Sequence, residues 1–280
     1  MEEDSNLSLF CCPVCKAPLR RESGSLRCQE GHCFDLARKG YVNLLRSNRS
    51  AERRHGDSDM MLHARQAFLD GGYYAGLKDL VCTILKEHLG AQARILDVGC
   101  GEGYYTAALQ QTLVEAGRPA QLAGIDISRD ALVLAHRRCP QLELAVASAA
   151  ALPLQNASQD AVLNIFAPIC AGELARVLRP GGLLLLALPL EEHLMGLKKA
   201  IYEVPRPNPA PNEQLEGFRL IRREELRSIL KLTESEQIKN LFRMTPYFYK
   251  TGREDQKKLE QLQELTTELA FCVLLYEKEL

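Results

Sequence analysis

One stretch decides the fold: Ile95-Leu96-Asp97-Val98-Gly99-Cys100-Gly101-Glu102-Gly103-Tyr104. An apolar run that contains an acid and leads into three closely spaced glycines predicts a buried strand turning tightly into a helix. Glycine tolerates left-handed backbone and leaves room for a ligand where a Cβ would collide. The stretch therefore predicts a ligand-binding turn between the first strand and the first helix of an α/β unit.

The chain on either side alternates between short apolar runs and helically spaced apolar residues. Such alternation predicts a parallel sheet covered on both faces, the doubly wound, Rossmann-like α/β pattern. A different ending is expected, with strands at 240–250 and 270–276 around a charged helix at 254–267, after a proline-rich loop at 203–213. The predicted strands of the sheet are 94–98, 121–125, 142–146, 161–166 and 183–188; the predicted helices are 60–68, 74–89, 104–115, 129–138 and 172–178.

The glycine spacing points to S-adenosylmethionine (SAM). The order G-x-G-x-G differs from the G-x-G-x-x-G of dinucleotide-binding folds. It places Gly99, Gly101 and Gly103 around the methionine end of SAM, with Asp97 facing its ammonium group. Asp126 ends the next strand, 23 residues after Gly103, where an acid accepts from both ribose hydroxyls. A Rossmann-type domain that binds another nucleotide, or none, stays open at this point.

A zinc site is predicted near the N-terminus. Cys12-x2-Cys15 and Cys28-x3-His32 stand twelve residues apart, and two close pairs on two turns give zinc its tetrahedron. Cys11 could replace Cys12, and Cys33 could replace His32. Four protein ligands leave no open position, so we predict that the metal is structural.

Composition and charge set the organisation. We predict a tail at 1–11, a zinc-binding lobe at 12–45, a linker and helix at 46–72, and the SAM-dependent domain at 73–280. Residues 12–54 hold ten Lys/Arg and four Asp/Glu, a charge of +6 in a chain whose net charge is -1, which suggests an anionic partner. The acidic start and the short apolar runs, none near the roughly 20 residues of a membrane span, predict a cytoplasmic protein without membrane contact.

Taken together, these segments resemble the RlmA family, the 23S rRNA (guanine-N1-)-methyltransferases. The resemblance covers about residues 12–250. It lies in the zinc module followed by Phe34-Asp35 and 39–45, in 56–58, 60–61 and 67–70, in 96–106, and in Ala167-Pro168, His193-Leu194-Met195 and Met244-Thr245-Pro246.

The resemblance implies a small N-terminal zinc-binding lobe for RNA recognition on an α/β, Rossmann-like class I SAM methyltransferase fold. It implies methyl transfer from SAM to N1 of a guanine in a hairpin loop of 23S rRNA, not DNA, by a homodimer. By position it implies zinc ligands Cys12, Cys15, Cys28 and His32. It adds Tyr74, Tyr105, Thr106 and His193 to the SAM contacts.

The catalytic group is not identified. We consider Phe166 for stacking on the base, and Glu102, Glu173 and His193 for proton transfer. Two other functions compete with RNA methylation: a SAM enzyme acting on a small molecule, and a zinc-dependent RNA-binding protein with a vestigial SAM pocket. The residues considered for phosphate contacts are Arg20, Arg21, Arg38, Lys39, Arg46, Arg49, Arg53 and Arg54.

Overall fold

The computed structural model describes residues 6–45 and 58–279. Its strands, in chain order, are β1 Leu7–Cys11, β2 Pro18–Glu22, β3 Ser25–Arg27, β4 Cys33–Asp35, β5 Val42–Asn43, β6 Arg94–Val98, β7 Gln121–Asp126, β8 Glu143–Val146, β9 Gln159–Ile165, β10 Leu178–Pro189, β11 Phe218–Leu232 and β12 Leu265–Lys278. Its helices are α1 Asp59–Asp70, α2 Ala75–His88, α3 Tyr104–Glu115, α4 Arg129–Arg138, α5 Ala171–Val177, α6 Met195–Ile201, α7 Ser235–Arg243, α8 Tyr247–Lys250 and α9 Arg253–Glu260.

An eight-stranded sheet forms the body, in the order β11-β12-β10-β9-β6-β7-β8-β5. The strands from β10 to β5 pair in parallel, and β12 and β11 extend that sheet antiparallel. From β6 the chain runs outward to β7 and β8, and it then returns to place β9 on the other side of β6. The strand order therefore changes direction at β6. Ligands of doubly wound sheets bind at such a switch point, beyond the carboxyl ends of the strands. The predicted parallel α/β fold is confirmed.

Each face of the sheet has its own apolar core. On one face the core draws on helices α1–α4, α6, α7 and α9. On the other it draws on α5 and on lobe residues such as Phe10, Leu19 and Leu26. The four-stranded sheet β1–β4 is therefore packed onto the body, and Cys11 N–H donates to the Pro153 carbonyl at 2.8 Å.

Short strands lie at both ends of the predicted lobe. Residues 7–11, assigned to a tail, form β1 and pair antiparallel with β2. Residues 42–43, assigned to the lobe, form β5 and pair with β8 of the body sheet. Residues 1–5 of the tail and 46–57 of the linker lie outside the described residues.

The C-terminal part differs more from the prediction. The strand expected at 240–250 is wrong, because α7 ends and α8 runs there. The charged helix ends at Glu260, and the following strand begins at Leu265. Strand β11 was not predicted, because it is an edge strand with a largely exposed face, where charged residues replace the apolar alternation. Its arginines pair locally: Arg222 with Glu224 at 2.9 Å and Arg223 with Glu213 at 2.6 Å.

Within residues 6–45 and 58–279, no helix combines the length and the apolar character that crossing a lipid bilayer requires.

Candidate functional site

Four side chains of the lobe converge as the sequence predicted. The ligand atoms of Cys12, Cys15, Cys28 and His32 all lie within 4.8 Å of one another. Cys28 Sγ is 3.6 Å from Cys15 Sγ and 3.4 Å from His32 Nδ1. Thiolates bound to one tetrahedral zinc stand about 3.8 Å apart, so three sulfurs and an imidazole fit the ion with no open position.

Two turns of similar build present these ligands. After Cys15, the backbone turns through a left-handed Lys16 (φ 64°), whose N–H donates to the Cys12 carbonyl at 2.9 Å. Before His32, it turns through Gly31 (φ 82°), whose N–H donates to the Cys28 carbonyl at 3.0 Å. Both turns direct their ligand side chains to one place, so the lobe is shaped for the ion.

The positions of the ligand atoms favour Cys12 over Cys11 and His32 over Cys33. Cys11 ends β1, is fully buried and does not join the four ligand atoms. Cys33 begins β4, is exposed, and its Sγ lies 3.7 Å from Arg27 Nη2. Cys12 and His32 lie just outside these strands, on the two turns, and their ligand atoms join the cluster.

The glycine turn has the geometry that its spacing predicted. Gly99, Gly101 and Gly103 have φ of 77°, 55° and 79°, and α3 begins directly after them. A Cβ on Gly99 would stand 2.5 Å from Ala167 Cβ, in the segment that follows β9. The turn therefore closes against the end of β9, and a larger residue at 99 would push the two apart.

Two acids flank this turn with different environments. Asp97 is 3% exposed, and its Oδ2 accepts from Thr106 Oγ1 at 2.5 Å. Burial raises the Asp97 pKa to about 7 against the opposing effect of that hydrogen bond. Asp126 is half-buried at the end of β7, where Oδ2 accepts from Gly101 N–H at 3.0 Å and Oδ1 from Ser128 N–H at 2.8 Å. Asp97 thus carries a suppressed charge that a cationic ligand would restore.

Tyr74 and His193 meet beside the turn. Tyr74 Oη lies 3.3 Å from His193 Nε2, and Ala270 N–H donates to His193 Nδ1 at 3.2 Å. Because Nδ1 accepts from the backbone, the neutral ring carries its proton on Nε2 and donates it to Tyr74 Oη. The hydroxyl proton of Tyr74 is then directed away from His193. Burial lowers the His193 pKa to about 3, so the ring stays neutral at physiological pH.

The residues present fit SAM. Tyr105 Oη is buried without a hydrogen-bond partner among the described residues, which marks a donor awaiting a ligand. The left-handed glycines let a ligand come close to the backbone of the turn. The carboxylates of Asp97 and Asp126 match the ammonium and the ribose hydroxyls of SAM. The SAM contacts predicted at Tyr74, Tyr105, Thr106 and His193 stay a prediction, and the structure brings all four to one end of the sheet.

An exposed aromatic ring stands at the same end. Phe166 follows β9 in a left-handed conformation (φ 56°) and is 44% exposed, so it is not a core residue. Its ring centroid lies 5.7 Å from that of Phe271 and 6.4 Å from that of Tyr74. A non-glycine residue with positive φ stores strain, which native proteins retain mainly at functional positions.

Glu173 and Glu102 are both held by arginines. Glu173 accepts from Leu152 N–H at 2.7 Å and pairs with Arg176, whose hydrogen bond lowers the Glu173 pKa. Glu102 is 1% exposed and pairs with Arg138, while burial raises its pKa to about 7. Glu173 anchors the loop around Leu152, and Glu102 lies behind the glycine turn.

A basic turn of the lobe lies against the body. Arg38 and Lys39 are exposed on a turn closed by Ala37 N–H donating to the Tyr41 carbonyl at 2.8 Å. Gly40 in this turn contacts the His136 ring of α4 so closely that no Cβ would fit. Arg20 and Arg21 are exposed on β2, and Arg21 Nη2 lies 3.5 Å from Glu143. The other phosphate candidates, Arg46, Arg49, Arg53 and Arg54, lie outside the described residues.

One residue at the turn was missed by the sequence reasoning. Arg65 of α1 places Nη1 3.7 Å from the position that a Cβ on Gly101 would take. Its Nη2 donates to the Met244 carbonyl at 3.4 Å. The helix around it was predicted, but a single arginine on a helix has no sequence pattern that separates it from a surface charge.

The comparisons agree with this geometry. Residues 10–50 match a family model described as "RlmA, N-terminal", and residues 95–182 match one described as "Methyltransferase domain". The chain is 39% identical over 193 residues to the 23S rRNA (guanine(748)-N(1))-methyltransferase of Streptomyces fradiae, a match covering 68% of this chain and 66% of that relative.

A second relative is covered almost throughout. YxjB of Bacillus subtilis (strain 168), provisionally named a 23S rRNA (guanine-N(1)-)-methyltransferase, is 31% identical over 271 residues, which cover 94% of both chains. Among solved structures, the YcgJ protein of Bacillus subtilis is similar with a TM-score of 0.49 and 14% identity, covering 72% of this chain and 98% of that one.

Proposed function

We propose a target and a manner of binding it from the premise that the chain belongs to the family of 23S rRNA (guanine-N1-)-methyltransferases. It is a SAM-dependent enzyme with a structural zinc ion. Its acceptor is N1 of a guanine in a hairpin loop of 23S rRNA. The observation that carries this proposal is the Cys₃His cluster joined, in one chain, to the SAM-type glycine turn.

The acceptor atom explains why a loop is the target. N1 lies on the Watson–Crick edge of guanine, so it is inaccessible in a paired base. An unpaired loop base can be turned out and stacked on an aromatic side chain. Phe166 is such a platform, because its ring is 44% exposed and its neighbour Ala167 packs on Gly99 of the SAM turn.

The donor supplies an electrophilic methyl group on its sulfonium. Asp126 would hold the ribose hydroxyls, and Asp97 would hold the ammonium of the methionine end. Tyr74 directs its hydroxyl proton to the ligand because His193 Nε2–H occupies its oxygen. His193 therefore positions Tyr74 and does not take a proton from the base. The buried ends of these side chains also exclude water from the methionine end.

The lobe supplies phosphate contacts. Arg38 and Lys39 are exposed, and Gly40 fixes their turn against α4 of the catalytic body. Charges held at a defined place on the body position the RNA without reading its sequence. The enzyme works as a homodimer in the cytoplasm, where both lobes contribute phosphate contacts to one RNA.

A primer-extension assay tests the proposal. The full chain is incubated with SAM and unmodified 23S rRNA, and reverse transcriptase is run over the product. A methyl on N1 blocks pairing and stops the polymerase, so one new stop at a loop guanine is expected. The matched control is Asp97→Asn, which should bind RNA and give no stop. A product without a stop, from an enzyme that binds SAM, would contradict the RNA target and favour a small-molecule acceptor.

The lobe is tested by substitution and not by deletion. Removing residues 1–45 would uncover the apolar face that Phe10, Leu19 and Leu26 help to bury, so a loss of activity could follow from unfolding. Charge reversal at Arg38 and Lys39 leaves that core intact. Unchanged RNA affinity in this variant would contradict the phosphate-binding role of the turn.

A further inference from the structure

The guanidinium group of Arg65 lies beside the glycine turn. Arg65 is half-buried on α1, a helix capped by Ser58, whose Oγ accepts from Met61 N–H at 3.4 Å. Nη2 is anchored on the Met244 carbonyl at the end of α7. Nη1 faces the turn, 3.7 Å from the position of a Cβ on Gly101. The group thus borders the space that the missing glycine side chain leaves for a ligand.

The positive charge of Arg65 acts on two tyrosine side chains at this end of the sheet. Arg65 lowers the pKa of both Tyr74 and Tyr105 against the larger, opposite effect of their burial. The other arginine near the turn, Arg138, lies between two carboxylates, 2.8 Å from Asp70 and 2.5 Å from Glu102. Arg138 is therefore held by these two carboxylates, and Arg65 places Nη1 beside the glycine turn.

The two charged groups at the methionine end of SAM need different partners. Its methionine end carries an ammonium and a carboxylate on one carbon atom. Asp97 suits the ammonium, but the acids Asp97, Asp126 and Glu102 around the turn would repel the carboxylate. A carboxylate there requires a cation, and a guanidinium offers a charge-assisted, planar pair of donors.

We propose that Arg65 binds the α-carboxylate of SAM through Nη1, so that α1 forms part of the donor site. This inference rests on the SAM dependence in the proposed function and goes beyond it by adding a ligand residue outside the methyltransferase domain match at 95–182. It also makes the helix that follows the basic linker sensitive to the donor.

A purely structural role is the alternative. Arg65 joins α1 to the end of α7 through Met244, and losing that bond would loosen the site without any direct contact. The two roles differ in one respect. A direct contact discriminates ligands by their carboxylate, whereas a loosened site weakens all of them alike.

Isothermal titration calorimetry on the full chain separates the two roles. SAM is compared with decarboxylated SAM, which lacks only the carboxylate. The wild type should bind SAM at least about 10-fold more tightly, the scale of one charged hydrogen bond. Arg65→Met should weaken SAM about 10- to 100-fold, leave decarboxylated SAM nearly unchanged and so abolish the preference.

Two further variants complete the design. Arg118→Met is the matched control, because Arg118 also donates to backbone carbonyls, those of Lys86 and Leu89, but at the other end of the sheet. It should keep the preference. Arg65→Gln retains a donor for Met244 without the charge, and it replaces the Met variant if that protein fails to fold.

The outcomes are distinct. Equal binding of both ligands by the wild type, or equal weakening of both by Arg65→Met or Arg65→Gln, overturns the proposal while SAM dependence stands. A wild type that binds neither ligand overturns the SAM-dependent function, and the assignment of Arg65 with it.

Discussion

The buried Asp97 makes the affinity for SAM depend on pH. Its side chain is 3% exposed, and burial raises its pKa from 3.8 to about 7. A raised carboxyl pKa means that the folded, ligand-free protein favours the protonated acid. In the proposed complex the ammonium of the methionine end pairs with Asp97, so SAM binding should favour the ionised acid. We therefore expect the affinity to fall as the pH drops through 7.

The size of the effect follows from the titration. One unit below its pKa, about one tenth of a carboxyl group is ionised, so the Kd at pH 6 should be about 10-fold higher than its plateau value. At pH 5 it should be about 100-fold higher. Above about pH 8 the α-amino group of SAM itself loses its proton, and the affinity falls again. The plot of SAM affinity against pH is therefore bell-shaped, and the titration of Asp97 causes the fall on its acid side, the acid limb.

Asp97→Asn removes the acid limb. Titration calorimetry between pH 5 and 9 should give weak binding with no acid limb. The ligand-free variant should be more stable at pH 8, because a pKa raised to about 7 corresponds to about 4 kcal/mol of burial cost that the neutral amide avoids. Glu102 also has a pKa of about 7, so Glu102→Gln is the control and should keep the limb. An acid limb that persists in Asp97→Asn, or vanishes in Glu102→Gln, would refute this reasoning.

Three other perturbations are expected to act at defined places. Gly99→Ala places a Cβ 2.5 Å from that of Ala167 in left-handed backbone, so SAM affinity should fall at least about 10-fold, by calorimetry, and the melting temperature should drop. Arg38→Glu with Lys39→Glu should reduce the slope of log affinity for RNA against log salt by about 2, measured by filter binding; an unchanged slope would place the phosphates elsewhere. Chelating zinc should open residues 6–45 to protease before the rest of the chain, and equal resistance with and without the chelator would contradict a structural role for zinc.

Local sequence patterns predicted the parts of the fold that are locally determined. The strands from β6 to β10 are continuously apolar because both of their faces are covered, and each is followed by a clear helix or turn. The zinc ligands were predictable because a metal fixes both residue type and spacing. Lys16 supports the first turn in left-handed backbone, yet nothing in its residue type indicates this.

The parts that depend on distant neighbours were not predictable. β11 is a strand because β12 pairs with it over its whole length, although its own sequence alternates charges instead of apolar residues. The choice of Cys12 and His32 over Cys11 and Cys33 depends on how the two turns are folded against each other. Arg65 lies 36 residues before Gly101 and reaches the turn only through the packing of α1 on α7.

The site also limits how the proton on guanine N1 leaves. His193 has its Nδ1 engaged by a backbone N–H and a pKa near 3, so it is a poor base. Glu173 is engaged by Arg176 and by Leu152 N–H. Glu102 has a pKa of about 7, suited to a base, but it is 1% exposed behind the glycine turn and cannot contact a base stacked on Phe166. Among the acids and histidine considered from the sequence, none is placed to accept the proton directly. We therefore expect catalysis by orientation: in the proposed complex the turn holds the donor, the ring of Phe166 carries the base, and the proton passes to water at the open face.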